Sequence, residues 1–247
     1  MRFLTIIPAR LASTRLPNKP LADICGKKMI QRVYEQSCKA NLGQSYVACD
    51  SDEVKNLIEN IGGKAILTDP DLPSGTDRIY QALQKIPNRD DFDFIVNLQG
   101  DLPIIDPEII EKTANLIANS SFDIATIAVK IDNENDINDP NIVKVAIANL
   151  SKDGGKALYF SRSAIPHNKD GNFYEHIGIY VYKRSALEKF VQLEVSNLEK
   201  LEKLEQLRAL ENNMTIGVAI ADSKPISIDT KSDLQKATEY LKNNEKS

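Results

Sequence analysis

The stretch Phe3–Pro20 reads FLTIIPARLASTRLPNKP, and it decides the fold class. Its beginning, Phe3–Ile7, is a short apolar run rich in β-branched side chains, which is typical of a buried strand. The remainder combines prolines, small residues and cations in the manner of a loop. A helix is then predicted from about Met29 to Ala40. A strand, a loop and a helix in this order indicate the first unit of an α/β fold.

The same alternation continues through the first half of the chain and becomes irregular in the second half. The strands predicted for the first half are Phe3–Ile7, Ser45–Cys49, Lys64–Leu67 and Phe94–Leu98. Those predicted for the second half are Ile124–Lys130, Val143–Ala148, Ala157–Phe160, Ile177–Tyr182 and Ile216–Ala221. The predicted helices are Met29–Ala40, one that follows the N-cap Ser51 and ends at Gly62-Gly63, Thr76–Lys85, one that starts near Pro107, Ser196–Glu211 and about Ser232–Asn243. We therefore expect a Rossmann-like, three-layer α/β/α fold with a mainly parallel sheet and a smaller antiparallel extension in the second half. It would form a single domain, 1–247, with a first part at about 1–125 and a second part at about 126–247.

The composition excludes several classes of function. The chain has 247 residues, 42% of them hydrophobic, which is enough for a sizeable core. A net charge of -4 without any basic block argues against nucleic-acid binding. No apolar run approaches the roughly 18 residues that suggest a membrane span, and the N-terminal run is too short for a signal peptide. Cys25, Cys38 and Cys49 form no CxxC pair, so we expect reduced thiols in a cytoplasmic protein with small-molecule partners.

Three cations in the opening loop predict a phosphate site. Arg10, Arg15 and Lys19 lie within ten residues, after a strand that should be buried. The paired N–H donors of an Arg guanidinium match phosphate oxygens, and Lys adds a point charge. Together the three side chains would neutralise much of the charge of a triphosphate. Ligands of parallel sheets bind beyond the carboxyl ends of the strands, which is where this loop begins. A solvated basic loop is the alternative, and the GxxxxGK[ST] pattern of a Walker A loop is absent.

Two aspartates are the candidate metal ligands. Asp101 follows the strand Phe94–Leu98, where a carboxylate is costly to bury unless it meets a cation. Asp229 follows a short apolar run and precedes the C-terminal helix, so capping of that helix is an equally good interpretation. Mg²⁺ takes one or two protein carboxylates together with phosphate oxygens, and two aspartates at strand ends would suit it.

The segment Ser74–Arg78, which reads SGTDR, is a weaker signal. Gly75 would let the backbone approach a ligand closely. Ser74 or Thr76 would equally well cap the next helix, with Asp77 in its first turn. From these residues alone, capping is the better interpretation.

Together with later motifs, these stretches resemble the CMP-Kdo synthetases, which are 3-deoxy-manno-octulosonate (Kdo) cytidylyltransferases of the nucleotide-diphospho-sugar transferase superfamily. The matching stretches follow the order of that family and cover nearly the whole chain. They are IIPARLASTRLPNKPL at Ile6–Leu21, SGTDR at Ser74–Arg78, NLQGDLP at Asn97–Pro103, NIVKV at Asn141–Val145, ALYFSRSAIP at Ala157–Pro166, HIGIY at His176–Tyr180, LEQLRAL at Leu204–Leu210 and SIDT at Ser227–Thr230.

The resemblance implies a CTP site in the first part of the chain. The residues it assigns to CTP are Arg10, Arg15 and Lys19 at the phosphates, and Ser74, Arg78 and Gln99 around the cytidine. Lys19, Asp101 and Asp229 would form the catalytic set, with Mg²⁺ bound by the two aspartates.

The resemblance also implies a sugar-acid site in the second part. The residues assigned to it are Arg162, His176, Glu205 and Gln206. Arg162 is a natural partner for the substrate carboxylate. His176 is expected to hydrogen-bond the substrate, although a lone His is more often structural. Glu205 lies one heptad after Leu198, near the apolar face of the predicted helix, where a carboxylate needs a hydrogen-bonding task. The alternative for Glu205 is an edge position that reaches water.

The implied reaction converts CTP and Kdo into CMP-Kdo and pyrophosphate, with Mg²⁺ as cofactor, for bacterial lipopolysaccharide biosynthesis. The anomeric hydroxyl of the sugar would attack the α-phosphorus in line, and catalysis would come from positioning and charge stabilisation. The resemblance further implies a cytoplasmic homodimer, with the second part of the chain supplying the interface.

Three departures from the family pattern accompany this resemblance. Leu102 stands where an acidic residue usually follows QGD, Asp77 stands where Glu usually follows SGT, and the segment between Pro166 and His176 is short. Leu102 removes a possible acid beside the metal. Alternative acceptors are sialic acid, pseudaminic acid or an amino analogue of Kdo, whereas phosphorylated sugars with UTP or GTP fit the central motifs less well. A nucleotide-binding regulator without catalysis would use the same fold, and a Rossmann dehydrogenase is disfavoured because no GxGxxG follows the first strand.

Overall fold

A computed structural model of the chain describes residues 1–13, 15–167 and 171–244. The contacts within it define two compact units. The first is Met1–Ile110 together with the C-terminal segment from Pro225 onward, and the second is Glu111–Lys224. The C-terminal segment thus belongs with the first unit, whereas the division at about residue 125 places it in the second part.

Strands and helices alternate as expected. In chain order they are β1 (Phe3–Ala9), β2 (Asp23–Ile24), β3 (Lys27–Lys28), α1 (Met29–Lys39), β4 (Gly43–Cys49), α2 (Asp52–Asn60), β5 (Ala65–Leu67), α3 (Gly75–Lys85), β6 (Phe94–Asn97), α4 (Pro107–Ala118), β7 (Ile124–Lys130), α5 (Glu134–Asn138), β8 (Lys144–Ser151), β9 (Gly154–Ser161), β10 (Tyr174–Lys183), α6 (Arg184–Phe190), α7 (Asn197–Glu202), α8 (Gln206–Glu211), β11 (Ile216–Ala221) and α9 (Lys231–Asn244). None of the helices in the described ranges is long and apolar enough to cross a bilayer.

The first unit is built on a parallel sheet. Its strand order is β5-β4-β1-β6, and each neighbouring pair is parallel. Nearly every residue of β1 and all residues of β6 are buried, as in parallel strands covered on both faces. Ser51 caps α2 by accepting from Glu53 N and Val54 N, as predicted.

The second unit is largely antiparallel. Its strand order is β10-β7-β11-β9-β8, in which only β7 and β11 are parallel neighbours. One further pair, Glu175 with Lys144, connects β10 to β8. The predicted α/β class, with a parallel sheet in the first half and an antiparallel extension in the second, is confirmed.

The predicted helix Ser196–Glu211 is wrong as a single element. α7 ends at Glu202, Lys203 adopts a left-handed conformation with φ 55°, and α8 begins at Gln206. Within the segment predicted as this helix, Leu204 is buried, whereas Leu201 is 71% exposed. The heptad relation that places Glu205 near an apolar face does not hold, because the helix is interrupted.

Candidate active site

A cleft of about 340 Å³ lies in the first unit, where β1 and β6 end. Each residue that was predicted to bind CTP or metal lines this one cleft. They are Arg10, Arg15, Lys19, Ser74, Arg78, Gln99, Asp101 and Asp229. The set combines four cationic side chains with two carboxylates, so the cleft carries excess positive charge, as suits an anionic ligand.

Gly100 permits the close packing that forms the floor of this cleft. A Cβ atom at residue 100 would lie 2.7 Å from the carbonyl oxygen of Pro8, so a side chain cannot be accommodated there. The segment after β6 therefore lies directly against the end of β1. This places Gln99 and Asp101 beside the loop that carries Arg10.

Lys19 lies between the two aspartates predicted to bind metal. Its Nζ donates to Asp101 Oδ2 at 2.9 Å and to Asp229 Oδ1 at 2.8 Å. Arg15 Nη2 lies 3.3 Å from the same Asp229 oxygen. Asp101 and Asp229 are adjacent because Ile228 N donates to the carbonyl oxygen of Asp101 at 3.0 Å. A cation is thus held at the point where the two carboxylates converge.

Thr230 and Asp233, rather than Asp229, cap the helix α9. Asp233 Oδ2 accepts from Thr230 N at 2.9 Å, and Thr230 Oγ1 accepts from Asp233 N at 3.2 Å. This reciprocal pair is a capping box with Asp in place of Glu. The carboxylate of Asp229 points instead to Lys19 and Arg15, so the capping interpretation of Asp229 is wrong.

Ser74 caps α3, as the sequence favours. Its Oγ accepts from Asp77 N at 3.1 Å and donates to Asp77 Oδ2 at 2.7 Å. Asp77, which departs from the family pattern, is thus engaged in the cap. Ser74 and Gly75 still border the cleft, so the N-terminus of α3, which attracts anions, faces the ligand space.

Arg78 belongs to a network that the sequence prediction missed. It is buried, and its Nη1 donates to Thr68 Oγ1. Asp50, at the end of β4, lies 3.9 Å from Arg78 Nη2 and accepts from Leu11 N at 3.1 Å. Burial lowers the pKa of Arg78, the carboxylate of Asp50 opposes this, and the charge of Arg10 adds to it. Asp50 therefore ties the buried Arg78 to the loop after β1, while contact of Arg78 with cytidine stays a prediction.

Leu102, the second departure at the site, lies inside the protein. Its side chain is 4% exposed, and it is not among the described residues that line the cleft. The apolar side chain is accommodated by the interior and does not take the place of a group that faces the ligand.

In the second unit, Arg162 follows β9 and is fixed by main-chain acceptors. Its Nε donates to the carbonyl oxygen of Glu202 and its Nη1 to that of Pro140, both at 2.9 Å. These bonds hold the guanidinium in one orientation without neutralising its charge. Both of these acceptors are neutral, so the guanidinium is suited to a carboxylate ligand.

His176 is a half-buried residue of β10. Its ring meets that of Phe160 edge-on, with 4.9 Å between centroids, and its Nε2 lies 2.9 Å from Thr126 Oγ1. The Thr126 hydroxyl donates to the Ile179 carbonyl oxygen at 2.7 Å, so it accepts from His176, whose proton therefore resides on Nε2. Burial lowers the pKa of His176 to about 3. The ring is neutral at neutral pH, as expected for a hydrogen-bonding group rather than a general base.

Glu205 and Gln206 lie at the start of α8. Gln206 is 7% exposed. Burial, then Tyr182 and then Glu205 raise the pKa of Tyr180, whose ring centroid lies 5.4 Å from that of His176. Tyr180 thus contacts His176 and is within the electrostatic influence of Glu205. Tyr180 is the last residue of the motif HIGIY, of which only His176 was predicted to lie in the site.

Among the described residues, no group of three or more His, Cys, Asp or Glu side chains is arranged to hold a metal. Asp101 and Asp229 nevertheless fit Mg²⁺, which takes few protein ligands when phosphates supply the rest. Their oxygens already share one cation, the Nζ of Lys19.

The parallel sheet, the cationic cleft at its strand ends and the converging aspartates are those of a nucleotidyltransferase. The model of the family described as "Cytidylyltransferase" matches residues 4–216. The chain belongs to this cytidylyltransferase family.

Relatives and solved structures agree with this assignment. The chain is 49% identical to the 3-deoxy-manno-octulosonate cytidylyltransferase of Brucella anthropi, over 96% of this chain and 95% of that protein. It is also 49% identical to the enzyme of the same name from Rickettsia typhi, over 97% of each chain. A solved structure of CMP:2-keto-3-deoxy-manno-octonic acid synthetase complexed with CTP matches with a TM-score of 0.91 and 35% identity, over 99% of this chain and 100% of that one. A 4-diphosphocytidyl-2C-methyl-D-erythritol synthase from Anaerococcus prevotii shares the fold, with a TM-score of 0.64 and 14% identity.

Proposed function

We propose that the protein transfers a cytidylyl group from CTP to Kdo and releases pyrophosphate. The observation that carries this proposal is the convergence of Arg10, Arg15 and Lys19 with Asp101 and Asp229 in one cleft. The cations suit a triphosphate, and the paired carboxylates suit a divalent metal. The names of relatives at 49% identity support CTP as donor and Kdo as acceptor.

In the proposed reaction the anomeric hydroxyl of Kdo releases its proton to solvent, and its oxygen forms a bond to the α-phosphorus of CTP. The bond between the α-phosphorus and the oxygen bridging to the β-phosphorus breaks, and pyrophosphate leaves with the electron pair. Arg10, Arg15 and Lys19 would balance the charge that grows on the leaving group. Mg²⁺ held by Asp101 and Asp229 would stabilise negative charge on the phosphate oxygens.

The second unit would bind the acceptor. Arg162 would pair with the Kdo carboxylate, because its guanidinium is oriented by carbonyl groups and keeps its charge. His176, Glu205 and Gln206 would hydrogen-bond the sugar hydroxyls. His176 would do so through Nδ1, since Nε2 is engaged with Thr126.

The acceptor and the nucleotide are tested by kinetics. Initial rates of pyrophosphate release should give the highest kcat/KM for CTP with Kdo. Replacing Kdo by sialic or pseudaminic acid, or CTP by UTP or GTP, should lower kcat/KM by roughly a hundredfold or more. A higher kcat/KM with sialic or pseudaminic acid would overturn the choice of Kdo. CTP binding without turnover on any sugar acid would favour a nucleotide-binding regulator.

The metal assignment is tested by Asp101→Asn. This change removes a charge while keeping the shape, so kcat/KM should fall by roughly a hundredfold and saturation should require more Mg²⁺. Asp222→Asn is the matched control, because Asp222 is 97% exposed and should leave both values unchanged. Full Mg²⁺-dependent activity of Asp101→Asn would contradict the assignment.

We also propose that the enzyme is a cytoplasmic homodimer that serves lipopolysaccharide biosynthesis. Its cysteines are free thiols, as suits a reducing compartment. Leu150 on β8 and Leu158 on β9 are 40% and 58% exposed, which supports an interface on the second unit. Light scattering should give twice the mass of one chain, and the mass of a single chain would contradict the dimer.

A further inference from the structure

Lys144 is a fully buried lysine in the second unit. Its Nζ donates to the carbonyl oxygens of Asp139 at 2.9 Å, Ile142 at 2.6 Å and Arg162 at 2.6 Å. An ammonium group has three protons, so these bonds use its full donor capacity. Burying a charge is costly unless its hydrogen bonds are replaced, and here main-chain dipoles replace them. A neutral apolar residue would satisfy a purely packing role at lower cost.

One of the three bonds reaches the main chain of Arg162, which Glu202 holds from the other side. The carbonyl oxygen of Arg162 accepts from Lys144, and its N–H donates to Glu202 Oε2 at 2.9 Å. One residue is thus held by an ammonium on one side and by a carboxylate on the other. Hydrogen bonds that involve an ionised partner are shorter and stronger than neutral ones, so this backbone is held firmly.

The chain segment at residues 139–144 also holds the other end of the predicted acceptor site. Val143 O accepts from His176 N at 2.8 Å, and Pro140 O accepts from the Arg162 side chain. The segment therefore fixes the backbone at both Arg162 and His176. The side chain of Lys144 joins this segment to Arg162, directly after β9.

We propose that Lys144 is a positioning residue for the acceptor, which clamps the main chain of Arg162 so that its guanidinium is ready for the carboxylate of the sugar acid. The inference rests on the proposed function, because it takes Arg162 to be the carboxylate partner. A guanidinium that is ordered before binding loses less entropy when the substrate arrives. Misplacement of such a group by about 1 Å costs up to roughly a hundredfold.

The test is Lys144→Met, which keeps most of the side-chain length and removes the charge and the donors. We expect KM for Kdo to rise by roughly tenfold or more. KM for CTP should stay within about twofold, because the CTP residues belong to the first unit. A purely structural role would instead lower the amount of folded enzyme and leave both KM values unchanged.

Glu202→Gln gives a second measurement that does not depend on the folding of Lys144→Met. It weakens the bond between Arg162 N and Glu202 Oε2, so it should also raise KM for Kdo and leave KM for CTP unchanged. Lys189→Met, at an exposed position of α6, is the matched control and should change neither constant. If Lys144→Met and Glu202→Gln fold and keep the wild-type KM for Kdo, the positioning role of Lys144 is overturned, whereas the proposed function stands. A wild-type enzyme that does not use Kdo would overturn the proposed function, and the inference with it.

Discussion

Lys19 holds two carboxylates with one ammonium, and this has a consequence for metal binding. A metal ion bound by both Asp101 and Asp229 would lie beside the ammonium, because Lys19 Nζ contacts one oxygen of each carboxylate. The two positive charges would repel each other, and movement of the ammonium toward the phosphates of a nucleotide would relieve that repulsion. In the nucleotide-free protein the lysine would therefore compete with the metal.

We therefore expect Lys19→Met to bind Mn²⁺ more tightly than the wild type when no nucleotide is present. Removing a positive charge in contact with both ligands should increase the affinity by roughly tenfold or more. The signal of free Mn²⁺ in electron paramagnetic resonance measures it directly. Lys64→Met is the control, because Lys64 precedes β5 and lies at the amino end of that strand, whereas the cleft lies at the carboxyl ends of the strands. Its Nζ donates to Gln44 Oε1. Equal Mn²⁺ affinity in Lys19→Met and the wild type would show that the ammonium does not compete.

His176 should make the protein sensitive to mild acid. Its pKa is about 3 in the folded protein and 6.5 ordinarily, so between these values the unfolded chain binds a proton that the folded chain excludes. Stability is therefore intact above pH 6.5 and is lost as the pH falls toward 3. The loss is at most about 1.4 kcal/mol for each pH unit.

The variant His176→Asn tests this pH dependence. Between pH 7 and pH 5, the wild type should lose up to about 2 kcal/mol more unfolding free energy than the variant does. Urea unfolding at the two pH values measures the difference. Equal losses of unfolding free energy in both proteins would mean that folding does not lower the pKa of His176.

At the scale of elements, one residue with a left-handed backbone conformation separates α7 from α8. Lys203 has φ 55° and ψ 47°, where a residue with a side chain is strained. The turn is held by an ion pair between the two helices, in which the guanidinium of Arg208 donates to Glu199 Oε1 at 2.6 Å and to Oε2 at 2.8 Å. Lys and Leu favour helix, so local propensity alone predicts an uninterrupted helix here. A tertiary ion pair overrides that preference.

Lys203→Gly should therefore stabilise the protein. Glycine adopts the left-handed conformation without strain, and the gain should be about 0.5 to 1 kcal/mol. Lys200→Gly, inside α7, should have the opposite effect and cost about 1 kcal/mol. Chemical denaturation of both variants measures the two signs. A loss of stability in Lys203→Gly would show that the lysine side chain itself supports the turn.

The hairpin of β2 and β3 is another element that the sequence does not reveal. Its strands have two residues each, too few for an alternating pattern. Its turn residues, Cys25 and Gly26, both have positive φ, as in a type I′ turn. Cys is uncommon in that position, so the turn gives no sequence signal.

At the scale of the whole molecule, the cationic cleft was predictable because parallel strands bring their carboxyl ends to one edge. That rule alone indicates Arg10 and Asp101, which come from loops far apart in the chain. It also applies to Asp50 at the end of β4, which was missed because no recognised motif drew attention to it. The acceptor side was less predictable, since β8 pairs with both β9 and β10 and such long-range pairings leave no local pattern. Lys144 reaches Arg162 only through the pairing of β8 with β9.

The cytidylyltransferase activity is tested most directly by measuring pyrophosphate formed from CTP by the wild-type protein with Kdo and Mg²⁺. Pyrophosphate and CMP-Kdo should form in equal amounts, and no pyrophosphate should be released when Kdo is omitted. Tight binding of CTP without pyrophosphate release from Kdo or any other sugar acid would contradict this activity.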